Sequence, residues 1–382
     1  MGYYAISRHS FFRYTLFKFK TICGFREYFC DSLEVDSYIS YFLRYHCEKK
    51  TDKKSHIFRR SVSAIILCSY RLLFFGDIKE TDDSIKVLFI TDTNDTFRKK
   101  LTDAIVAEAT SQGITLDVVE TGENSDKELE LVKAASSKGY KAILCIPTNS
   151  ANALQLNSAG SGIPIVYLNN QPGDDHLTPD KYIYVGSDES QAGKYQAEFV
   201  IEKLGKTSMN VIIFQGEKNH PAAVKRTAAV KDTLQARGIN ANYVFVDSAD
   251  WSEEDAADKF AVYMKTGHPV DAIFCNNDTM ALGVIEAIKA HGLDPSSILV
   301  CGIDASDEAR ESILAGELAF TVFQDADTQA KRAVEAAKLL ADGKTLEAVN
   351  GITKDRKYIW VDLEPIDASN VNEYVKQKRD RM

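Results

Sequence analysis

The chain has no GxGxxG after an apolar strand-like run, no GxxxxGK[ST], no GxSxG and no HExxH. Their absence removes the usual signatures of dinucleotide, nucleotide triphosphate, serine-hydrolase and zinc-protease chemistry. No His–carboxylate pair stands out as a general acid/base couple, so the expectation is that the protein is not an enzyme. Seven cysteines are present, but none forms a CxxC and no Cys/His spacing suits zinc. No metal and no cofactor is expected. Cys145, Cys275 and Cys301 fall in apolar runs far apart in sequence and read as buried free thiols. A basic body is missing as well. The net charge is −9; residues 1–60 carry +6 and the remainder −15. A body this acidic is a poor partner for a phosphate backbone, which is bound by clustered Lys and Arg. No nucleic-acid partner is expected.

The 382 residues exceed what one hydrophobic core usually serves, so about two domains are expected. Residues 1–85 stand apart. The first 48 hold 14 Phe and Tyr without a clean period. A basic patch from Lys49 to Arg60 then precedes the apolar run SVSAIILCSYRLLFFG, residues 61–76. A basic flank before such a run is the layout of a signal peptide or anchor. A buried helix of a small extra domain, or a natural start further downstream, are the other readings.

From Lys86 the pattern is regular. Short apolar runs (KVLFI, ITLDVV, KAILCI, IPIVYL, YIYVG) alternate with segments of helical period. The alternation restarts at NVIIF and continues through ANYVFV, DAIFC, ILVCGI and AFTVF to KYIWVD. Apolar rather than alternating strands are those buried on both faces, as in parallel sheets. The fold class is therefore α/β, with two doubly wound parallel-sheet lobes.

In such sheets ligands bind outside the carboxyl ends of the strands. His220, Arg226, Trp251, Asn277 and Asp304 each fall at or after such an end. A cation, an indole, an amide and a carboxylate together suit a sugar, whose hydroxyls need donors and acceptors and whose C–H face wants an aromatic surface. Each has a plainer reading. His220 precedes Pro221 at a helix start, Arg226 could be a surface charge, and Trp251 could be a partly buried staple. In the pair Asn277–Asp278 the aspartate is read as the helix cap and the asparagine as the ligand group. Asp304 could cap the helix beginning near Ser306.

NDTF, YVGSDESQAG, GEKNHPAAVKR, DSADW, NNDTMALGVIEAIKAHG and GIDASDEARESILAGELAFTVFQDADTQA occur in this order. With them the chain, from about Lys86 to Asn372, resembles the type I periplasmic sugar-binding proteins and is most similar to their galactose/glucose-binding branch. The resemblance implies that Asp95 accepts a sugar hydroxyl and that Phe97 and Trp251 cover opposite ring faces. His220, Arg226, Asn277, Asp304 and Gln324 would supply polar contacts. Ala222 and Ile146 depart from that branch, where an Asp and an Asn stand, and GKTSM replaces its calcium loop.

The resemblance also implies three chain crossings that act as a hinge. They were expected near Leu168–Asn170, near Phe323–Asp325 and before KYIWVD. That gives an N-terminal lobe of 86–168 plus 325–356 and a C-terminal lobe of 169–324 plus 357–382. The expected function is an extracytoplasmic receptor that closes on a monosaccharide and feeds an ABC importer. It would be a monomer, periplasmic, at the cell surface or anchored through 61–76. A membrane-anchored sugar sensor for a histidine kinase or chemoreceptor is the alternative. A lactose-repressor-type regulator is disfavoured, because residues 1–60 show no helix-turn-helix pattern.

Overall fold

The computed structural model describes residues 84–91 and 95–374. The N-terminal segment with its apolar run at 61–76 lies outside them. Among the described residues no helix is long and apolar enough to cross a membrane.

Among the described residues twelve strands form two six-stranded sheets. The first sheet contains β1 (Lys86–Thr91), β2 (Thr115–Glu120), β3 (Ala142–Cys145), β4 (Ile165–Leu168), β5 (Tyr182–Gly186) and β11 (Tyr358–Trp360). Their spatial order is β11-β5-β4-β3-β1-β2, and every pair is parallel. The second contains β6 (Ser208–Gln215), β7 (Asn240–Ser248), β8 (Ala272–Cys275), β9 (Leu299–Cys301), β10 (Phe320–Gln324) and β12 (Leu363–Asp367), ordered β12-β10-β9-β8-β6-β7. Both repeat the doubly wound order in which the winding direction reverses beside the first strand of the set. Cys145, Cys275 and Cys301 lie buried in β3, β8 and β9.

The helices obey the same logic. In α1 (Thr96–Ser111), Phe97, Leu101, Ile105 and Ala109 recur at helical spacing and are buried on the first sheet. α2 (Ser125–Ala135) and α3 (Ala153–Ala159) cover the other face. On the second sheet, α4 (Glu189–Leu204) and α5 (Pro221–Ala236) cover one face. There Gly193 lets α4 approach the α5 backbone: a β-carbon at Gly193 would run into the Arg226 carbonyl. α6 (Glu253–Met264), α7 (Asp278–Ala290) and α8 (Asp307–Leu314) cover the opposite face.

The crossings correct the expected lobe boundaries. β5 pairs with β4 and therefore belongs to the first lobe, so the chain first crosses after Gly186, not at 168–170. The long apolar run of β4 ends in a loop that returns to the same sheet. The second crossing follows β10, because α9 (Ala326–Ala341) buries Ala330, Ala333 and Val334 in the first core. The third follows Trp360. β11 pairs parallel to β5, and only then does the chain reach β12, which lies antiparallel to β10 at the edge of the second sheet. Pro365, which cannot donate a ladder hydrogen bond, fits such an edge. The motif KYIWVD thus belongs to the first lobe rather than the second.

Candidate functional site

All eight residues singled out in the sequence line one cleft between the lobes: Asp95, Phe97, His220, Arg226, Trp251, Asn277, Asp304 and Gln324. Asn169 and Ala222 complete the lining. Ile146 is buried beneath β3 and does not line it. Asp95 and Phe97 follow β1, Asn169 follows β4, and the others follow or end β6, β7, β8, β9 and β10. All are at or just beyond a strand's carboxyl end except Arg226, which lies in the second turn of α5.

The backbone is strained where these side chains are presented. Asn169, Asn219, Asp250, Trp251, Asp304 and Ala305 have positive φ angles of 55°, 69°, 46°, 65°, 119° and 50°. Such conformations are costly for residues with a β-carbon and persist when surrounding structure holds them, commonly at functional sites. Two successive positive-φ residues occur at Asp250–Trp251 and again at Asp304–Ala305.

Trp251 is the aromatic wall of the second lobe. The His220 ring meets it edge-on, with centroids 5.2 Å apart, and the Arg226 guanidinium lies 5.9 Å from its ring centre. Phe97, on the other lobe, is nearly buried in the first turn of α1. Asp95 caps that turn, accepting from the Arg98 amide at 2.7 Å.

Arg226 is not a surface charge. It is 4% exposed; its Nε donates to Glu189 Oε2 at 2.6 Å and its Nη1 to the Asn276 carbonyl at 2.5 Å. Burial acts to lower its pKa, but the carboxylates of Glu189 and Asp304 outweigh it and hold the pKa above the ordinary value. Asp304 is the reverse case. Burial lifts its carboxyl well above the usual range; Asp278 and Asp95 add to the rise, and Arg226 opposes it. Gln324 Nε2 donates to one of its oxygens at 2.7 Å. Asp304 lines the cleft.

In the Asn277–Asp278 pair the helix cap falls on Asn277 rather than on Asp278 as expected, while Asn277 also lines the cleft. Asn277 caps α7, its Oδ1 accepting from the Met280 amide at 3.0 Å, which leaves its amide nitrogen as a donor. Asp278 is buried and ties loops together: it accepts from Thr321 Oγ1 at 2.6 Å and from the Ser306 amide at 2.8 Å. Its pKa is raised to about 6, chiefly by burial. Close approach decides this, since a β-carbon on Gly302 would collide with the Asp278 carboxylate. Asp304 does not cap α8; Ser306 does.

Three residues were not anticipated. Arg98 is 7% exposed; its Nε donates to Asn169 Oδ1 at 2.8 Å and lies 3.3 Å from Asp95 Oδ2. Its Nη2 is 3.3 Å from His220 Nε2 on the other lobe. Glu189, buried at the start of α4, is the counter-ion of Arg226. Arg98 directly follows Phe97, and Asn169 directly follows an apolar strand, so the strand-end rule could have flagged both. Glu189 carried no such mark. A second contact joins the lobes at the cleft margin, Lys225 Nζ donating to Gln171 Oε1 at 2.6 Å. Among the described residues no group of three or more His, Cys, Asp or Glu is placed to hold a metal.

The chain has relatives among known binding proteins. The chain is 31% identical over 270 residues to a putative rhizopine-binding protein of Rhizobium meliloti, covering 69% of this chain and 84% of that one. It is 32% identical over 257 residues to the D-galactose/methyl-galactoside binding periplasmic protein of Haemophilus influenzae, covering 63% and 76%. An ABC transporter solute binding protein from Bacillus halodurans, solved with bound myo-inositol, superposes with a TM-score of 0.69 at 28% identity, over 78% of this chain and 99% of that one. These relatives are binding proteins, not enzymes. The periplasmic binding protein domain matches residues 85–345, and the chain therefore belongs to the periplasmic binding protein family.

Proposed function

We propose that this protein is an extracytoplasmic receptor that holds one monosaccharide-sized polyol ring between its lobes and presents it to a membrane ABC permease. The observation that carries the reading is the cleft to which both lobes contribute polar groups and one aromatic side chain each. A ring with hydroxyls on its edge and C–H groups on its faces satisfies such a lining. Asp304 and Gln324 Oε1 accept; Arg226, Asn277 and Asn169 donate; Phe97 and Trp251 cover the faces. The named ligands of the relatives, a galactoside and myo-inositol among them, share that shape.

A ligand that touches both lobes binds the closed arrangement better than the open one and shifts the population toward it. Three crossings, after Gly186, Gln324 and Trp360, form the connection about which the lobes would move. The test is a thermal-shift screen of the full chain against monosaccharides and cyclitols, followed by calorimetry of the hits. A ligand present at a hundred times its Kd stabilises the folded state by about 2.7 kcal/mol. Absence of any shift across the set sinks the reading.

A further inference from the structure

Residues Ala249 to Ser252 form a tight turn, in which the Ser252 amide donates to the Ala249 carbonyl at 2.7 Å. Its two central residues, Asp250 and Trp251, have φ angles of 46° and 65°. Positive φ at both central positions is the pattern of a type I′ turn, which asparagine and glycine ordinarily fill. A residue with an indole side chain does not favour this backbone, so surrounding contacts must hold it there. The turn decides where the indole stands, because it carries the chain from the end of β7 to Trp251 in the cleft lining.

Ser248, the last residue of β7, is partly buried beside this turn. Its hydroxyl oxygen lies 2.6 Å from the Gly216 carbonyl oxygen and 2.5 Å from Asp250 Oδ1. Both partners are acceptors, and the one hydroxyl hydrogen is shared between them. Gly216 is the residue against which the indole packs, and Asp250 is the first of the two positive-φ residues. One hydroxyl thus ties the floor under the indole to the turn that presents it. The backbone around the hydroxyl is held as well. The Ser248 carbonyl accepts from Lys259 Nζ of α6, and the Ala249 amide donates to the Gln215 carbonyl at 2.8 Å. Ser248 does not line the cleft, so it acts on a ligand only through its neighbours.

We infer that Ser248 is the positioning residue of the aromatic wall. Its hydroxyl clamps the strained turn so that Trp251 stands over the cleft before a ligand arrives, and binding does not have to order the indole. The inference rests on the proposed binding of a sugar ring against Trp251. A hydroxyl that only completed the end of β7 would contribute stability and leave the indole where it is.

The test uses the full chain in a Trp360→Phe background, which leaves Trp251 as its one tryptophan. Ser248→Ala, Ser248→Thr and Asp250→Ala are compared in it. Without sugar, acrylamide quenching of the Trp251 fluorescence should rise in Ser248→Ala and return to the background value in Ser248→Thr, which keeps the hydroxyl. Calorimetry with the sugar found by screening should show affinity about tenfold lower in Ser248→Ala, equivalent to about 1.4 kcal/mol, and recovery to within about threefold in Ser248→Thr. Unchanged quenching in Ser248→Ala overturns the inference, and so does an affinity within about twofold of the background protein; in both cases the sugar reading stands. If Ser248→Ala does not fold, Asp250→Ala removes the other end of the clamp at an exposed side chain, and unchanged quenching there overturns the inference equally. If no sugar binds, the proposed function falls, and quenching alone decides whether Ser248 positions the indole.

Discussion

The indole of Trp251 lies flat against Gly216, so close that a β-carbon on Gly216 would penetrate the ring. Gly216 directly follows β6 and donates its amide to Asn276 Oδ1 at 3.2 Å. Its lack of a side chain fixes how deep the aromatic wall of the cleft can sit. The placement of Trp251 is thus decided 35 residues upstream, by a residue that does not line the cleft.

Gly216→Ala is therefore a substitution against the binding surface more than against the fold. Gly216 does not have a positive φ, so the backbone tolerates alanine, and the strain falls on the indole. We expect the affinity for the sugar identified by screening to fall roughly ten- to thirtyfold, corresponding to about 1–2 kcal/mol of lost aromatic contact. Combining it with Trp251→Ala should cost little beyond Trp251→Ala alone. Additive losses in calorimetry would show that Gly216 acts by another route.

The Arg226–Glu189 pair is a buried ion pair with the remaining guanidinium hydrogens partly satisfied by Asn276. Removing one partner leaves the other charge uncompensated. Glu189→Gln should destabilise the protein by about 3–5 kcal/mol, measurable in urea unfolding. A loss below about 1 kcal/mol would mean that water reaches Arg226.

Asp304 makes the opposite prediction. Burial lifts its pKa, so the carboxylate is held at a cost, and its one hydrogen bond to Gln324 can be made equally by an amide oxygen. Asp304→Asn should leave the melting temperature of the ligand-free protein unchanged or higher. Sugar affinity should drop by about a hundredfold, because an acceptor facing ligand hydroxyls becomes an amide that donates. Such opposed effects mark a group retained for binding at the expense of stability. Parallel losses of stability and affinity would assign Asp304 to the scaffold instead.

Much of this was legible in the sequence because both lobes obey a simple rule. Short apolar strands alternate with helices whose caps and stops are plain: Pro221 and Ala236 bound α5, and Glu189 and Leu204 bound α4, as their patterns predict. Strand ends then localise the cleft without any knowledge of side-chain direction. What was not legible depends on pairing. Nothing in the run YIYVG says which sheet it joins, and β12 is a short, proline-containing edge strand with little apolar signal. That Asp278 is buried instead of capping α7 depends on the space left by Gly302, a contact between loops 24 residues apart. Arg98 and Glu189 were missed because a charged residue in the first turn of a helix is usually solvated, and here the opposite lobe or helix covers it.

The buried His220 sets a pH dependence whose sign is fixed. Its folded-state pKa lies near 3, below the ordinary 6.5, so the folded state binds its proton less readily than the unfolded chain. The stability this contributes is complete above about pH 6.5 and is lost as the pH falls toward 3. Asp278 and Asp304, with raised values, act with opposite sign over the acidic range, so the wild-type curve alone does not isolate the histidine. His220→Asn does, because asparagine can still accept from the Ala222 amide as a helix cap. Relative to the variant, the wild type should lose on the order of a few kcal/mol between pH 6.5 and pH 3.5. Chemical unfolding at half-unit pH intervals measures the difference. Parallel curves for the two proteins would mean that folding does not depress the pKa of His220.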